Sequence, residues 1–436
     1  ASFFDSEWMF GVSDGFDIVI GNPPYISYYG NKGVKLSSNR RTFFVKYYNH
    51  IKKVDDRINS MNLMTERGVS LLKDKGTIAF ITNKTMSILP SYRHFRKLFL
   101  NNVFFLSLIT DLSPFNAIVD CIIFIGSKEK VTNKKVANCT KHMKFLSNDN
   151  YIWHISKYEN ILDIIDLNKK KLSDIITINR GLNIGGKSEY FLSSEKSIGY
   201  KKYLSGTKNI SPYTYEWEKG DGFIKVDLEL ERKLKEKGAT IALGDPLRYS
   251  QPHLFIPESG QRIMAAYCHD EIYGAYGLLV ATHKNDIKNL FYSLLLLNSN
   301  IVSFYCTEKE ILRKGSKATP HVGVKGLRGI PIPRITPLML DDIYKLATLI
   351  LFCRKENSTY SIFFEQLANA VISELYLPDI FKYIDISFLK DLSKLRTITI
   401  NDLKIIHDFY IQNKCLENRL KEYAIKHQYL TIIEEC

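Results

Sequence analysis

A short apolar run, Phe16-Asp17-Ile18-Val19-Ile20-Gly21, ends in Asn22-Pro23-Pro24-Tyr25. The run reads as a buried strand. Neither proline can donate a main-chain hydrogen bond, and each locks its own φ. The residue before each proline is pushed out of the helical region. The strand therefore ends in a fixed corner that presents the Asn22 side chain, the Pro23 carbonyl and the Tyr25 ring. Two acceptors beside an aromatic face suit the grip of a flat ring carrying an exocyclic amine.

The 436 residues are enough for two or three domains. The formal charge of +14 and a pI near 9.2 favour a polyanionic partner, nucleic acid first and anionic membrane second. Seven cysteines, scattered from Cys121 to Cys436 without close pairs, argue for a reducing compartment and against a disulfide framework or zinc ribbon. No apolar run is long enough to span a membrane and no signal peptide is visible. A cytoplasmic location follows as the expectation.

Along the first third, strands alternate with helices. Strands are predicted at Phe16–Ile20, 76–82, 103–109 and 119–125. Helical periodicity covers 42–73, loosened near Asp55-Asp56, and a basic amphipathic helix covers 91–100, with Arg93, Arg96 and Lys97 on its outer face. This alternation implies a mostly parallel sheet covered on both faces. The Lys- and Asn-rich stretch 128–150 reads as a linker or irregular crossing. From 151 to about 335, short apolar segments between Gly, Pro, Ser and Asn clusters indicate a β-rich domain with a few helices. From 336 to 436 the spacing is helical.

Residues 16–25 resemble the catalytic motif of amino-group DNA methyltransferases, which move a methyl group from S-adenosylmethionine to N6 of adenine. The chemistry explains the residue types. The N6 lone pair is delocalised into the ring, so the amine is a poor nucleophile. Acceptors at Asn22 and Pro23 aimed at its hydrogens favour the pyramidal nitrogen of the transition state, a preorganised electrostatic effect. The base must leave the duplex to reach such a pocket, so an aromatic, here Tyr25, must stack on it. The resemblance is to the TaqI-like group. It places a second aromatic at Phe115, ahead of Val119-Asp120-Cys121-Ile122-Ile123.

The following domain resembles the target-recognition domain of the same group. Leu204-Ser205-Gly206, Pro252-His253-Leu254, Arg262-Ile263-Met264-Ala265-Ala266-Tyr267, Leu297-Asn298-Ser299 and Pro320-His321 stand in the family's order. Ile330-Pro331-Ile332-Pro333 closes the domain. The stretch from Phe363 to Tyr376 resembles the helical tail of larger type IIG restriction–methylation enzymes. The resemblance implies an α/β fold. A partial Rossmann-like methyltransferase sheet (1–150) precedes a β-rich target-recognition domain (151–335) and a helical C-terminal region (336–436). Double-stranded DNA is the implied partner. Candidate DNA contacts are Lys201, Lys202, Arg262, Arg313, Lys314 and Lys317, the last three in a basic, Gly-containing turn.

A complete enzyme of this group also carries a Gly-rich turn after its first strand and an acidic residue after its second. Both precede the catalytic motif, and neither is present here. Ala1-Ser2-Phe3-Phe4 stands where the family carries Ala-Asp-Phe-aromatic, so Phe3 is the one candidate cofactor contact and Ser2 replaces an adenine-binding Asp. Gly181-Leu182-Asn183-Ile184-Gly185-Gly186 reads as a loop. The chain is thus expected to be a fragment inactive alone, its missing half lost by truncation or cleavage or supplied by a partner. Residues 16–20 are then expected to form an exposed apolar sheet edge. No metal is implied. Pro378-Asp379 and Asp402-Leu403-Lys404 mimic a nuclease pattern, at a loose spacing expected of coincidence. Two other readings fit part of the chain: a non-catalytic DNA-specificity module, and an RNA or protein amino-group methyltransferase.

Overall fold

A computed structural model describes residues 5–435, apart from 30–32, 53–56, 113, 115–119, 130–136, 148–150, 155, 219–220, 314–318, 399 and 401. The described residues form two compact units, an N-terminal one within 5–157 and a C-terminal one within 158–435.

The N-terminal unit runs α1 (Ser6–Phe10), β1 (Phe16–Gly21), α2 (Ser38–Tyr47), α3 (Ser60–Leu71), β2 (Leu72–Asn83), α4 (Thr85–Ile88), α5 (Arg93–Asn102), β3 (Phe104–Leu112), β4 (Cys121–Ser127) and α6 (Ala137–Ser147). The sheet order is β1-β2-β4-β3. β1 and β2 are parallel, with Gly21 opposite Phe80. β4 is antiparallel to both β2 and β3, which corrects the expectation of a mostly parallel sheet. The reason is the short link from Leu112 to Cys121: a parallel return needs a crossover of about a dozen residues or more.

Gly68 lets α3 lie close on the sheet. A Cβ there would meet Ile78, Phe80 and Val19 at 3.2–3.3 Å. On the far side of the sheet order, Phe99, Phe105, Phe124 and Trp153 build an aromatic core, with Trp153 centred 4.9 Å from both Phe99 and Phe105. β1 is the sheet edge, and it is open: Ile18 is 65% and Ile20 79% exposed, whereas Ile78 is fully buried.

Two further expectations are corrected. Arg96 is not on an outer face. It is fully buried, and its guanidinium Nη1 donates to the carbonyls of Met86 (2.9 Å) and Leu89 (2.8 Å). Burial, with Arg93 nearby, pushes its pKa down to about 9. Arg93 and Lys97 do face outward, over the Tyr151 ring. Within the supposed linker 128–150, α6 forms and buries His142 and Phe145 against Phe104 and Phe105. The rings of His142 and Phe145, one turn apart, dock this helix, with Leu146 packed beside them.

The C-terminal unit holds two four-stranded sheets. One has the order β10 (Ala266–Cys268), β9 (His253–Pro257), β12 (Leu278–His283), β5 (Ile176–Arg180). The other has the order β11 (Ile272–Gly274), β7 (Lys201–Leu204), β8 (Phe223–Ile224), β6 (Leu192–Ser193). A hairpin, β13 (Leu312–Arg313) with β14 (His321–Val322), leans on the end of β9, Val322 N–H donating to the Glu258 carbonyl at 2.8 Å. One hydrophobic core joins the first sheet to the helices Lys288–Asn298, Asn300–Glu308, Pro337–Lys355 and Tyr360–Tyr376, and extends to Ile433. Residues expected to be β-rich and residues expected to be helical therefore bury each other's apolar faces. Among the described residues no single helix is long and apolar enough to cross a membrane.

Candidate active site

β1 ends at Gly21, and a Cβ at that position would press on the Phe80 ring at 3.3 Å. The chain then turns through Asn22-Pro23-Pro24-Tyr25 with no regular structure. Asn22 and Pro24 are exposed, Pro23 is buried, and Tyr25 is half-buried against the core of the N-terminal unit. Among the described residues no hydrogen bond occupies the Asn22 side chain or the Pro23 carbonyl. The Tyr25 hydroxyl lies 3.7 Å from Cys121 Sγ, at the start of β4. Burial, reinforced by that contact, raises the Tyr25 pKa well above the ordinary phenol value, so the ring stays neutral. The corner thus presents two acceptors and a neutral aromatic face.

What holds the corner is a residue that sequence reasoning missed. Ser60, 5% exposed, opens α3 behind the N-cap Asn59, whose side chain accepts from Met61 N–H at 3.0 Å. Its hydroxyl donates to the Pro24 carbonyl and accepts from Ile26 N–H at 2.9 Å. Its own N–H donates to the Ile26 carbonyl at 3.0 Å, and Tyr28 N–H donates to the Ile58 carbonyl at 3.0 Å. Both sides of Tyr25 are therefore tied to the start of α3. The signal in the sequence is weak: Asn59-Ser60 reads as an ordinary helix start.

In the C-terminal unit, Lys201 and Lys202 are exposed neighbours on β7. Lys201 pairs with Glu271, and the Lys202 ammonium sits 4.5 Å from the Trp217 ring centre. Arg262 is partly buried, and its Nη2 donates to the Asn298 carbonyl at 2.5 Å. Asn298 in turn braces both backbone groups of Ala265. Arg313 lies on β13 opposite His321. Burial, then the charges of Arg313 and Arg180, lower the His321 pKa, so the imidazole is neutral near pH 7.

Arg180, which sequence reasoning passed over, stacks on Tyr276 at 5.0 Å, with Nη2 3.0 Å from Glu258 Oε1. That carboxylate is buried, and its pKa is raised by burial against the opposing pull of Arg180. The structure thus gathers Arg180, Tyr276, Arg313 and His321 around the β13–β14 hairpin, while Lys201 and Lys202 belong to the other sheet. Phe3, Phe115, Lys314 and Lys317 lie outside the described residues.

The nuclease-like acids have local tasks. Pro378 and Asp379 open the helix Pro378–Tyr383, and Asp402 caps Leu403–Gln412 by accepting from Lys404 N–H at 2.8 Å. Among the described residues no cluster of His, Cys, Asp and Glu could hold a metal ion.

Residues 1–116 match the family of Eco57I restriction-modification methylases. Residues 201–332 match the TaqI-like C-terminal specificity domain. The chain carries a restriction-modification methylase segment followed by a TaqI-like specificity domain. Among solved structures, it is similar to the Type IIL restriction-modification enzyme MmeI in complex with DNA. The identity is 11% and the TM-score 0.50, over 86% of this chain and 57% of that one. It is also similar to the type IIG restriction endonuclease BpuSI, at 14% identity and a TM-score of 0.31, over 83% of this chain and 54% of that one. The chain spans little more than half the length of these two structures. A comparison with curated proteins gives no match.

Proposed function

We propose that the chain is the base-gripping and DNA-reading portion of a site-specific adenine-N6 DNA methyltransferase from a restriction-modification system. The observation that carries this reading is the Asn22–Tyr25 corner, two acceptors without a hydrogen bond among the described residues beside a half-buried neutral ring, tied in place by Ser60. In this reading the Asn22 side-chain oxygen and the Pro23 carbonyl accept from the exocyclic amine of an adenine rotated out of the duplex. They hold its lone pair ready for attack, and Tyr25 stacks on the ring with Phe115 as a second aromatic. Lys201, Lys202, Arg262, Arg313, Lys314 and Lys317 supply contacts to DNA. Phosphate contacts set position, and base-edge contacts set sequence.

The methylase family implies S-adenosylmethionine as the methyl donor. The glycine cluster 181–186 is tied down by bridges from Leu182 to Ala275 and from Asn183 to Ala242, and Gly181 is pressed against the carbonyls of Ala275 and Gly274. What this chain contributes lies on the acceptor side: orienting the amine, stacking the base and reading DNA. Phe3 remains its one candidate contact to the donor.

The test is Asn22→Ala in a methylation-competent form of the protein. Methylation of plasmid adenine, read by nucleoside mass spectrometry, is expected to vanish, while duplex affinity stays within about twofold. Retained N6-methyladenine would sink the reading. Methylation appearing on cytosine N4 instead would keep the amino-group chemistry and overturn the choice of base.

A further inference from the structure

The 37 residues between Asp17 and Asp55 contain seven Lys or Arg and no Asp or Glu. This stretch contains the Asn22–Tyr25 corner and continues beyond it. Its Ile51 joins Ile58 and Leu63 in a satellite core, packed by Tyr28, Leu36, Phe44, Val45 and Tyr48. Because those apolar side chains turn inward, the charged ones turn outward. Lys35, Arg40 and Lys46 are all exposed.

No residue of α2 is fully buried. Arg40, Phe43 and Tyr47 stand at helical spacing on one stripe of it. Phe43 is 52% and Tyr47 59% exposed, with ring centres 4.5 Å apart, and the Lys46 ammonium lies 5.3 Å from the Tyr47 ring. Beside the corner, Tyr29 is 46% exposed and carries the Arg57 guanidinium at 4.4 Å.

We infer that this aromatic surface of the N-terminal unit, whose own segment carries cations and no acid, is a second DNA-binding surface, which grips the phosphate backbone flanking the base presented to Asn22 and Tyr25. The inference rests on the proposed DNA methyltransferase reading. Three arguments favour a duplex backbone as the occupant. The segment's own charges are all positive, complementary to a polyanion, and the neighbouring Glu66 carboxylate is engaged by Asn49 and His50. The cations are interleaved with exposed ring faces, which suit sugar and base contact. The surface is also continuous in sequence with the corner where the base is held. Phosphate contacts made here carry no sequence information, so they serve position and affinity rather than choice of target.

The test measures duplex binding by the full chain, by fluorescence anisotropy between about 50 and 200 mM salt. The variant is Lys35→Gln/Arg40→Gln/Lys46→Gln, and all three positions are exposed. Each lost phosphate contact lowers the slope of log K against log salt by about 0.9, so the triple variant is expected to lose two to three units of slope. Its affinity for target and scrambled duplexes is expected to fall by the same factor, about ten- to a hundredfold. Lys404→Gln/Lys414→Gln/Lys421→Gln, on the C-terminal helices, controls for net charge and is expected to leave the slope unchanged.

If the wild type binds DNA and the first triple variant keeps its slope, this surface is not in the interface, while the methyltransferase reading stands. An equal loss in the control would likewise overturn the inference, as an effect of charge alone. If the wild type binds no duplex, or binds only anionic vesicles, the DNA reading itself falls and the surface assignment falls with it.

Discussion

Phe364 and Val371 in the C-terminal unit are fully buried, inside a core that runs from Ile161 to Ile433 and closes around both strands and helices. β1 in the N-terminal unit is built from the same kinds of residues, yet it leaves Ile18 and Ile20 mostly exposed at a sheet edge. The corner proposed to do chemistry hangs from that thinly packed strand. The surfaces proposed to read DNA in the C-terminal unit stand on the thickly packed scaffold. The packing of β1 is therefore too thin to position Asn22–Tyr25 by itself. Two locked prolines and the Ser60 hydrogen bonds do that work locally. A large core can place a reading surface by stiffness alone, whereas an edge strand needs a clasp.

The sharpest way to break this contrast is Phe364→Ala, which empties a fully buried site in the large core. It is expected to cost the C-terminal unit about 3–5 kcal/mol, seen as a lowered denaturant midpoint in chemical unfolding. A smaller effect, about 1–3 kcal/mol, is expected for Arg96→Met, which leaves the Met86 and Leu89 carbonyls buried without their donor. This loss should fall on the N-terminal unit, read by hydrogen exchange at β2 and α5. Protection lost equally in both units would mean that the two cores unfold as one.

Ser60→Ala is expected to cost only about 1 kcal/mol of stability. In a methylation-competent form it should lower turnover about tenfold with little change in DNA affinity, because the loosened corner misplaces its acceptors. Turnover equal to that of the wild type would show that the prolines suffice. The smallest change is expected from Ile18→Lys/Ile20→Lys, within about 0.5 kcal/mol of wild-type stability. It should nonetheless reduce self-association of the chain in sedimentation velocity, since charge on an edge strand opposes edge-to-edge pairing. Unchanged association would show that another surface is responsible.

Much of the layout was legible in the sequence. The Asn22–Tyr25 corner ends a strand as its prolines require, and the second, third and fourth strands fall within a few residues of their predicted places. The helices after 336 follow their apolar spacing. Other features were hidden. The antiparallel course of β4 depends on the length of one link, not on any periodicity. Helix α6 was masked by the Lys and Asn around its two buried anchors. Arg96 reads as one more surface cation, because nothing in a basic helix says which cation turns inward to meet two carbonyls.

By itself the sequence determined the chemistry offered at the corner. Proline restricts its own φ and its neighbour's through covalent geometry, so Asn22-Pro23-Pro24-Tyr25 has few conformations wherever it stands. Only the tertiary structure decided what holds that corner and what surrounds it. Ser60 lies 36 residues from Pro24 in the chain yet donates to its carbonyl, and the six-residue strand before the corner is left open on its outer side. Such contacts arise when separate segments bury their apolar faces together, and that free energy belongs to the assembled fold rather than to any local run of residues.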